Sequence, residues 1–137
     1  MPNVVVEYTD NIGPEGDIGG LVKVIARTII EAGEGVFPTA GIRVRAIELQ
    51  HFAMADDQPD YAFVSLTCRV ARGRSDEDKK RTFDAVFEAV KAHLKPAGER
   101  RTLAISMDVE EFGDRLAYKL NPLHERFGTK PFAKVEG

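Results

Sequence analysis

The chain has 137 residues, a length that suits one domain with a sizeable buried core. Hydrophobic residues make up 43% and charged residues 30%, which is the balance of a globular protein and excludes a disordered chain. The 19 Lys and Arg residues and 22 Asp and Glu residues give a net charge of −3, so the chain lacks the basic surplus of nucleic-acid-binding proteins.

Membrane-spanning, secreted and disulfide-linked proteins are also disfavoured. No stretch approaches the roughly 18 apolar residues of a membrane span, and no basic region followed by an apolar core marks a secretory signal. We therefore expect a cytoplasmic protein with no membrane partner. Cys68 is the single cysteine, which rules out an intrachain disulfide, and His51, His93 and His124 are scattered without metal-ligand spacing. These residues thus predict no metal site.

The first half of the chain, about residues 1–50, predicts a strand, a helix and a second strand. MPNVVVEY has the continuous apolar run of a buried strand, and Asp17 is placed to cap a helix that the GEG at 33–35 ends. Helical spacing puts five apolar residues on one face of that helix: Ile18, Leu21, Val22, Ile25 and Ile29. The strand in GIRVRAIELQ alternates apolar and basic side chains: Ile42, Val44 and Ala46 against Arg43 and Arg45.

The second half, about residues 60–110, repeats this pattern. YAFVSLTCRV is rich in β-formers, and Ser75 is placed to cap a helix with three acidic residues in its first turn. We predict that Pro96 and Gly98 end this helix. The final strand, in RTLAISMDVEE, turns four apolar residues inward: Leu103, Ile105, Met107 and Val109.

Two β-α-β units in sequence predict an α+β fold, with a four-stranded mixed sheet and both helices on one face, because such crossovers are right-handed. Arg43 and Arg45 make the other face partly charged, and we expect partner subunits to cover it. Residues 1–112 would form this domain. Residues 113–137 would form a C-terminal arm and tail, with the short arm carrying Leu116, Tyr118 and Leu120.

The position of Pro2 has two interpretations. Proline is tolerated at the first position of a strand, where its missing N–H costs nothing. Alternatively, removal of Met1 makes Pro2 the amino terminus, and its ring nitrogen becomes a secondary amine that accepts and returns a proton. Residue type alone leaves both interpretations open.

Arginines provide the remaining candidate chemistry. Arg43 stands in a strand among apolar residues, where a buried guanidinium would need a partner, either an acidic side chain or a substrate carboxylate. Arg45 lies on the same face and competes for that role. Arg74 follows the third strand and precedes a helix, where anionic ligands often bind, although Arg69 and Arg72 nearby also fit a solvated basic loop.

Four segments carry a family resemblance, in order and across roughly residues 1–112: the opening MP with VEYTDN, then FPTAGIRVR, MADDQPDYAFV and GRS. With them the chain resembles the 5-carboxymethyl-2-hydroxymuconate isomerases of the tautomerase superfamily. The resemblance implies a homotrimer that uses no metal or organic cofactor. It also implies Pro2 as the catalytic group, with Arg43 and Arg74 in the site. The segment EAGEGVFPTAG and the end beyond Phe127 are longer than the family pattern.

The resemblance implies an isomerase of bacterial homoprotocatechuate breakdown, with a small dienol bearing three carboxylates as its substrate. We add Arg45, Phe37 and His51 as substrate-binding candidates. Two alternatives stay open at this point. One is a related tautomerase that acts on another 2-hydroxydienoate or a keto-acid enol, and the other is a trimer that binds anions without catalysis.

Overall fold

A computed structural model describes residues 2–113, 116–128 and 132–134. Met1, whose removal the proline hypothesis requires, lies outside the described residues, as does most of the tail after Gly128. The helices and strands are, in chain order, β1 (Asn3–Thr9), α1 (Ile18–Gly33), β2 (Arg43–Leu49), β3 (Tyr61–Ala71), α2 (Asp76–Arg100), β4 (Thr102–Phe112), β5 (Tyr118–Leu120), α3 (Leu123–Arg126) and β6 (Phe132–Lys134). Single 3-10 turns lie at Asp10–Ile12, Pro14–Gly16 and Thr39–Gly41.

The main sheet has the strand order β2-β1-β3-β4. β1 runs parallel to β2 and antiparallel to β3, and β3 runs parallel to β4. The predicted mixed sheet of two β-α-β units is therefore confirmed. β1 and β2 begin, and β3 and β4 end, at the same end of the sheet, which we call the proline end because Pro2 lies there.

Both long helices pack on one face of this sheet, as predicted. Side chains from β1, β3, α1 and α2 form one buried core, whose fully buried members include Val4, Val6, Val64, Leu66, Leu21, Ile25, Ile29, Val86 and Val90. Burial of each such side chain contributes about 1.5–3 kcal/mol. This shared core fixes where the strand ends lie relative to the helix ends.

The predicted helix caps are confirmed. Asp17 accepts a hydrogen bond from the backbone N–H of Gly20 at 3.2 Å, and Ser75 Oγ accepts one from Asp78 at 3.0 Å. α1 ends at Gly33, followed by Glu34 in the left-handed region with φ 49°.

The predicted end of the second helix is wrong. α2 continues through Pro96 to Arg100, and the N–H of Arg101 still bonds the carbonyl of Ala97 at 3.1 Å. Proline removes its own helical hydrogen bond but not the later ones. Leu94 and Ala97, on either side of exposed Pro96, are buried in the core, and this packing holds the last turn in place.

The face of the sheet away from the helices, here called the open face, carries Arg43 and Arg45 as exposed residues. β5 and β6 pair as a separate two-stranded sheet after the main sheet, and we call this segment the arm. Its side chains Leu116, Tyr118 and Leu120 are 82%, 88% and 65% exposed. Among the helices of the described residues, none is long and apolar enough to cross a membrane.

Candidate active site

Pro2 lies directly before β1, and the structure buries it. Its carbonyl accepts a hydrogen bond from the N–H of Arg43 at 3.1 Å, which extends the pairing of β1 with β2 by one residue. A catalytic amine has to be accessible to its substrate. The burial of Pro2 in this chain, which begins at Met1, therefore counts against the proline hypothesis unless Met1 is removed. The hydrogen bond does place the backbone of Pro2 beside the first residue of β2.

The two arginines of β2 differ from the sequence interpretation in one respect. Arg43 was expected to be buried, but it is exposed, and its contact with a substrate carboxylate stays a prediction. Strand ends reach solvent more easily than strand centres, and Arg43 is the first residue of β2. Arg45 donates from Nη1 to Oδ1 of Asn3 at 2.7 Å, which ties it to β1.

Arg74 lies at the proline end, in the turn between β3 and α2. Its guanidinium is 5.3 Å from the centroid of the Phe37 ring, and Nη1 donates to the carbonyl of Ala71 at 3.4 Å. The side chain is half-buried, and this desolvation lowers the pKa of Arg74 from its ordinary value. Arg74 is therefore a positioned group and not part of a diffuse basic loop.

Phe37 is 2% exposed and packs edge-on against Phe83, with ring centroids 5.8 Å apart. Its ring belongs to the core, beneath Arg74. Phe37 also lines a shallow cavity of about 290 Å³ with Pro38 and Phe127, among others. A direct contact between Phe37 and substrate stays a prediction.

The structure does not bring His51 to this end of the sheet. His51 follows β2, whose last residue Leu49 pairs with Thr9 at the far end of β1. At about 3.3 Å per strand residue, Arg43 and Leu49 at the two ends of β2 lie roughly 20 Å apart, and His51 comes two residues after Leu49. Within one chain, exposed His51 and Arg43 cannot contact the same small molecule.

A cavity of about 270 Å³ opens at the proline end between the open face and the arm. Eight described residues line it: Asn3, Arg43, Arg69, Phe112, Tyr118, Lys119, Leu120 and Asn121. Three of these eight carry a positive charge and none carries a negative one. Such a lining suits a small anion with carboxylate groups.

Of the eight lining residues, sequence reasoning predicted only Arg43 as a site residue, and it missed the two other charged ones. Arg69 was read as part of a solvated loop, although its strand alternation already put it on the face opposite buried Cys68 and Val70. Lys119 gave no sequence signal, because no local pattern indicates that the arm folds back onto the start of β2. It does so through Asn121, whose Nδ2 donates to the carbonyl of Ala40 at 2.8 Å.

A larger groove of about 530 Å³ lies between α2 and the edge strand β4, with an apolar floor that includes Phe83 and Met107. Its rim charges pair with one another, since Lys79 contacts both Asp76 and Glu111. No three His, Cys, Asp or Glu side chains of the described ranges are grouped so that they could hold a metal ion. The cationic cavity at the proline end is therefore the stronger candidate site. Pro2 and Arg74 lie at the same end of the sheet but are not among its lining residues.

Comparison with known proteins decides the family. The family model for 5-carboxymethyl-2-hydroxymuconate isomerase matches residues 2–127. The chain is 39% identical over 127 residues to the 5-carboxymethyl-2-hydroxymuconate Delta-isomerase of Escherichia coli, covering 93% of this chain and 99% of that one. The chain belongs to this family.

Solved structures of the 5-carboxymethyl-2-hydroxymuconate isomerase family agree with this assignment. The structure of such an isomerase from Deinococcus radiodurans R1 is 37% identical, with a TM-score of 0.84 over 93% of this chain and 94% of that one. A second structure of a 5-carboxymethyl-2-hydroxymuconate delta-isomerase is 29% identical, also with a TM-score of 0.84, over 93% of each chain. The predictions of this family and of an isomerase are confirmed.

Proposed function

We propose that this isomerase converts 5-carboxymethyl-2-hydroxymuconate, a dienol with three carboxylates, into its conjugated ketone during homoprotocatechuate breakdown. Family membership supports the reaction. The observation that carries the substrate class is the cavity at the proline end, with Arg43, Arg69 and Lys119 in its lining. A catalytic isomerase is also favoured over a trimer that only binds anions.

The proposed base is the ring nitrogen of Pro2 after loss of Met1. As an amide nitrogen in a Met1-Pro2 bond it has no basicity, whereas as a terminal secondary amine it accepts a proton. The neutral amine takes the proton of the dienol hydroxyl, and C–O becomes a carbonyl as the double bonds shift. The same nitrogen then delivers a proton to a carbon further along the conjugated chain, so that one O–H bond is lost and one C–H bond is gained.

Arg43 and Arg74 have two roles in this proposal. Each pairs with a substrate carboxylate, for which the planar guanidinium provides two parallel donors. Their positive charge also disfavours the protonated amine and lowers the pKa of Pro2, which keeps the base neutral near the working pH. Bound carboxylates act in the opposite direction: they raise the pKa of the amine, which favours its uptake of the hydroxyl proton and makes the protonated amine a weaker proton donor.

We further propose that the site is completed in a homotrimer. Arg43 and Arg45 on the open face remain exposed in the single chain. A neighbouring subunit on this face would enclose the cavity and exclude water from it. His51, which is distant within one chain, would then be able to reach the site of a neighbour.

The test compares protein that begins at Pro2 with protein that retains Met1, with intact mass as the check on each sample. Loss of the dienol is followed by its ultraviolet absorbance. We expect turnover only in the cleaved protein and its loss in Pro2→Ala. Arg100→Gln, which removes an exposed guanidinium at the opposite end of the sheet, is the control and should keep activity within about twofold. Equal rates with and without Met1 would end the proline mechanism.

Substrate choice needs a separate measurement. Dienols with one, two and three carboxylates are compared by kcat/KM on the cleaved protein. The proposal requires the highest value for the tricarboxylate. If a monocarboxylate 2-hydroxydienoate is converted equally well, the chain is a related tautomerase with a different substrate.

A further inference from the structure

We propose that Arg69 and Lys119 form a carboxylate-selecting subsite with Arg43, in which the C-terminal arm contributes one of the charges. The inference deepens the proposed function and rests on its tricarboxylate substrate. The subsite would hold the carboxylates that lie away from the reacting hydroxyl. It would make the isomerase prefer dienols with three carboxylates over those with one.

The sheet register brings the first two charges together. Asn3 of β1 pairs with Arg43 on one side and with Arg69 on the other, so the three residues form a row across the open face. Two guanidiniums on either side of an amide are spaced to bind different carboxylates of one molecule. Pairwise repulsion between them is relieved when an anion binds.

Arg69 keeps donors available for a ligand. Its ion pair with Glu110 is 3.9 Å long, which is beyond hydrogen-bonding distance, and the Glu110 side chain is 58% exposed. The guanidinium carbon lies 5.7 Å from the centroid of Phe112, and this ring holds the guanidinium at the wall of the cavity. An ordered guanidinium loses less entropy when it binds a carboxylate.

Asn3 adds a neutral donor to the same wall. Arg45 donates to Oδ1 of Asn3 at 2.7 Å, which leaves Nδ2 as the donor that the amide can offer to an anion. Arg45 then acts as a positioning residue through Asn3, without contact to the ligand. This is a different role from the direct substrate contact predicted from the sequence.

The arm brings Lys119 to the cavity by a buried anchor. Asn121 is 4% exposed, donates from Nδ2 to the carbonyl of Ala40 at 2.8 Å, and accepts at Oδ1 from the N–H of Leu123 at 3.1 Å. The Nδ2 bond holds the arm against the turn before β2, and the Oδ1 bond is local to the start of α3. The cavity wall formed by Lys119 depends on that contact.

The experiment titrates the cleaved protein with propane-1,2,3-tricarboxylate, a saturated tricarboxylate that cannot react, in a calorimeter. Arg69→Gln and Lys119→Gln should each weaken its binding by about tenfold or more, since each removes charge-assisted hydrogen bonds. The matched control Arg100→Gln should bind the tricarboxylate with an affinity within about twofold of the wild type. The affinity for propanoate, which has one carboxylate, should change by less than about threefold in all variants. Melting temperatures near that of the wild type show that each variant is folded.

Wild-type affinity for the tricarboxylate in both Arg69→Gln and Lys119→Gln would overturn the subsite. Equal losses for the tricarboxylate and propanoate would overturn its selectivity. Pro2→Ala should bind the tricarboxylate as the wild type does, so a failure of dienol turnover affects the proposed reaction and not this inference. With dienol substrate, Arg69→Gln should raise KM and leave kcat nearly unchanged.

Discussion

The guanidinium of Arg74 lies 5.3 Å from the centroid of Phe37, above a ring that is itself buried against Phe83. This contact joins the segment after α1 to the turn before α2. Because Phe37 is part of the core, packing of the whole domain holds Arg74 at the proline end. The position of one candidate catalytic charge thus depends on the folding of two distant segments.

The geometry of Arg74 should matter as well as its charge. Arg74→Lys keeps a cation but loses the planar pair of donors, and we expect about a tenfold fall in kcat/KM for the tricarboxylate dienol. Arg74→Gln removes the charge and should lower kcat/KM about a hundredfold, because hydrogen bonds to charged groups are the stronger ones. Arg72 is an exposed neighbour in the same turn, and Arg72→Gln should lower kcat/KM by less than about threefold. Equal effects at Arg72 and Arg74 would indicate a diffuse basic loop.

Phe37 should contribute mainly to stability. Phe37→Ala leaves a cavity beside Phe83 and should lower the free energy of unfolding by about 3–5 kcal/mol. Phe37→Leu retains most of the volume and should lower it by clearly less. Urea unfolding followed by circular dichroism measures both. A loss below about 1 kcal/mol for Phe37→Ala would contradict the buried placement of the ring.

Pro96 should be a weak point of α2. Proline in a helix interior costs about 3 kcal/mol relative to alanine, partly offset by its stiffening of the unfolded chain. Pro96→Ala should therefore raise the free energy of unfolding by about 1–3 kcal/mol. Pro14→Ala is the control, because Pro14 occupies the first turn of a 3-10 helix, where proline is tolerated, and it should not stabilise. A decrease in stability for Pro96→Ala would mean that α2 ends before residue 100.

Cys68 should be unreactive in the folded protein at ordinary pH. Burial, followed by the negative charge of Asp108, raises the pKa of the thiol to about 12. Since the thiolate is the nucleophile, iodoacetamide at about pH 8 should leave the folded chain unmodified and alkylate it fully in urea, as mass spectrometry would show. Raising the pH toward 12 without unfolding should increase the rate of modification. Equal rates at about pH 8 in folded and unfolded protein would contradict the burial.

Local patterns were sufficient to predict both β-α-β units. Side-chain alternation in β2 and the helical spacing of α1 follow from the fixed geometry of each backbone conformation, so neighbouring residues determine them. The caps at Asp17 and Ser75 are equally local, because each closes a turn within three residues. Pro96 was misjudged because core packing of Leu94 and Ala97 overrides the local preference of proline.

The sequence by itself determined the two repeated units, the family and the type of reaction. Only the tertiary structure decided that Arg43, Arg69 and Lys119 line one cavity, that Arg74 is held over Phe37, and that His51 lies at the other end of the sheet. The physical reason is that strand register and arm docking depend on contacts between segments far apart in the chain. Such contacts leave no periodic trace in the sequence.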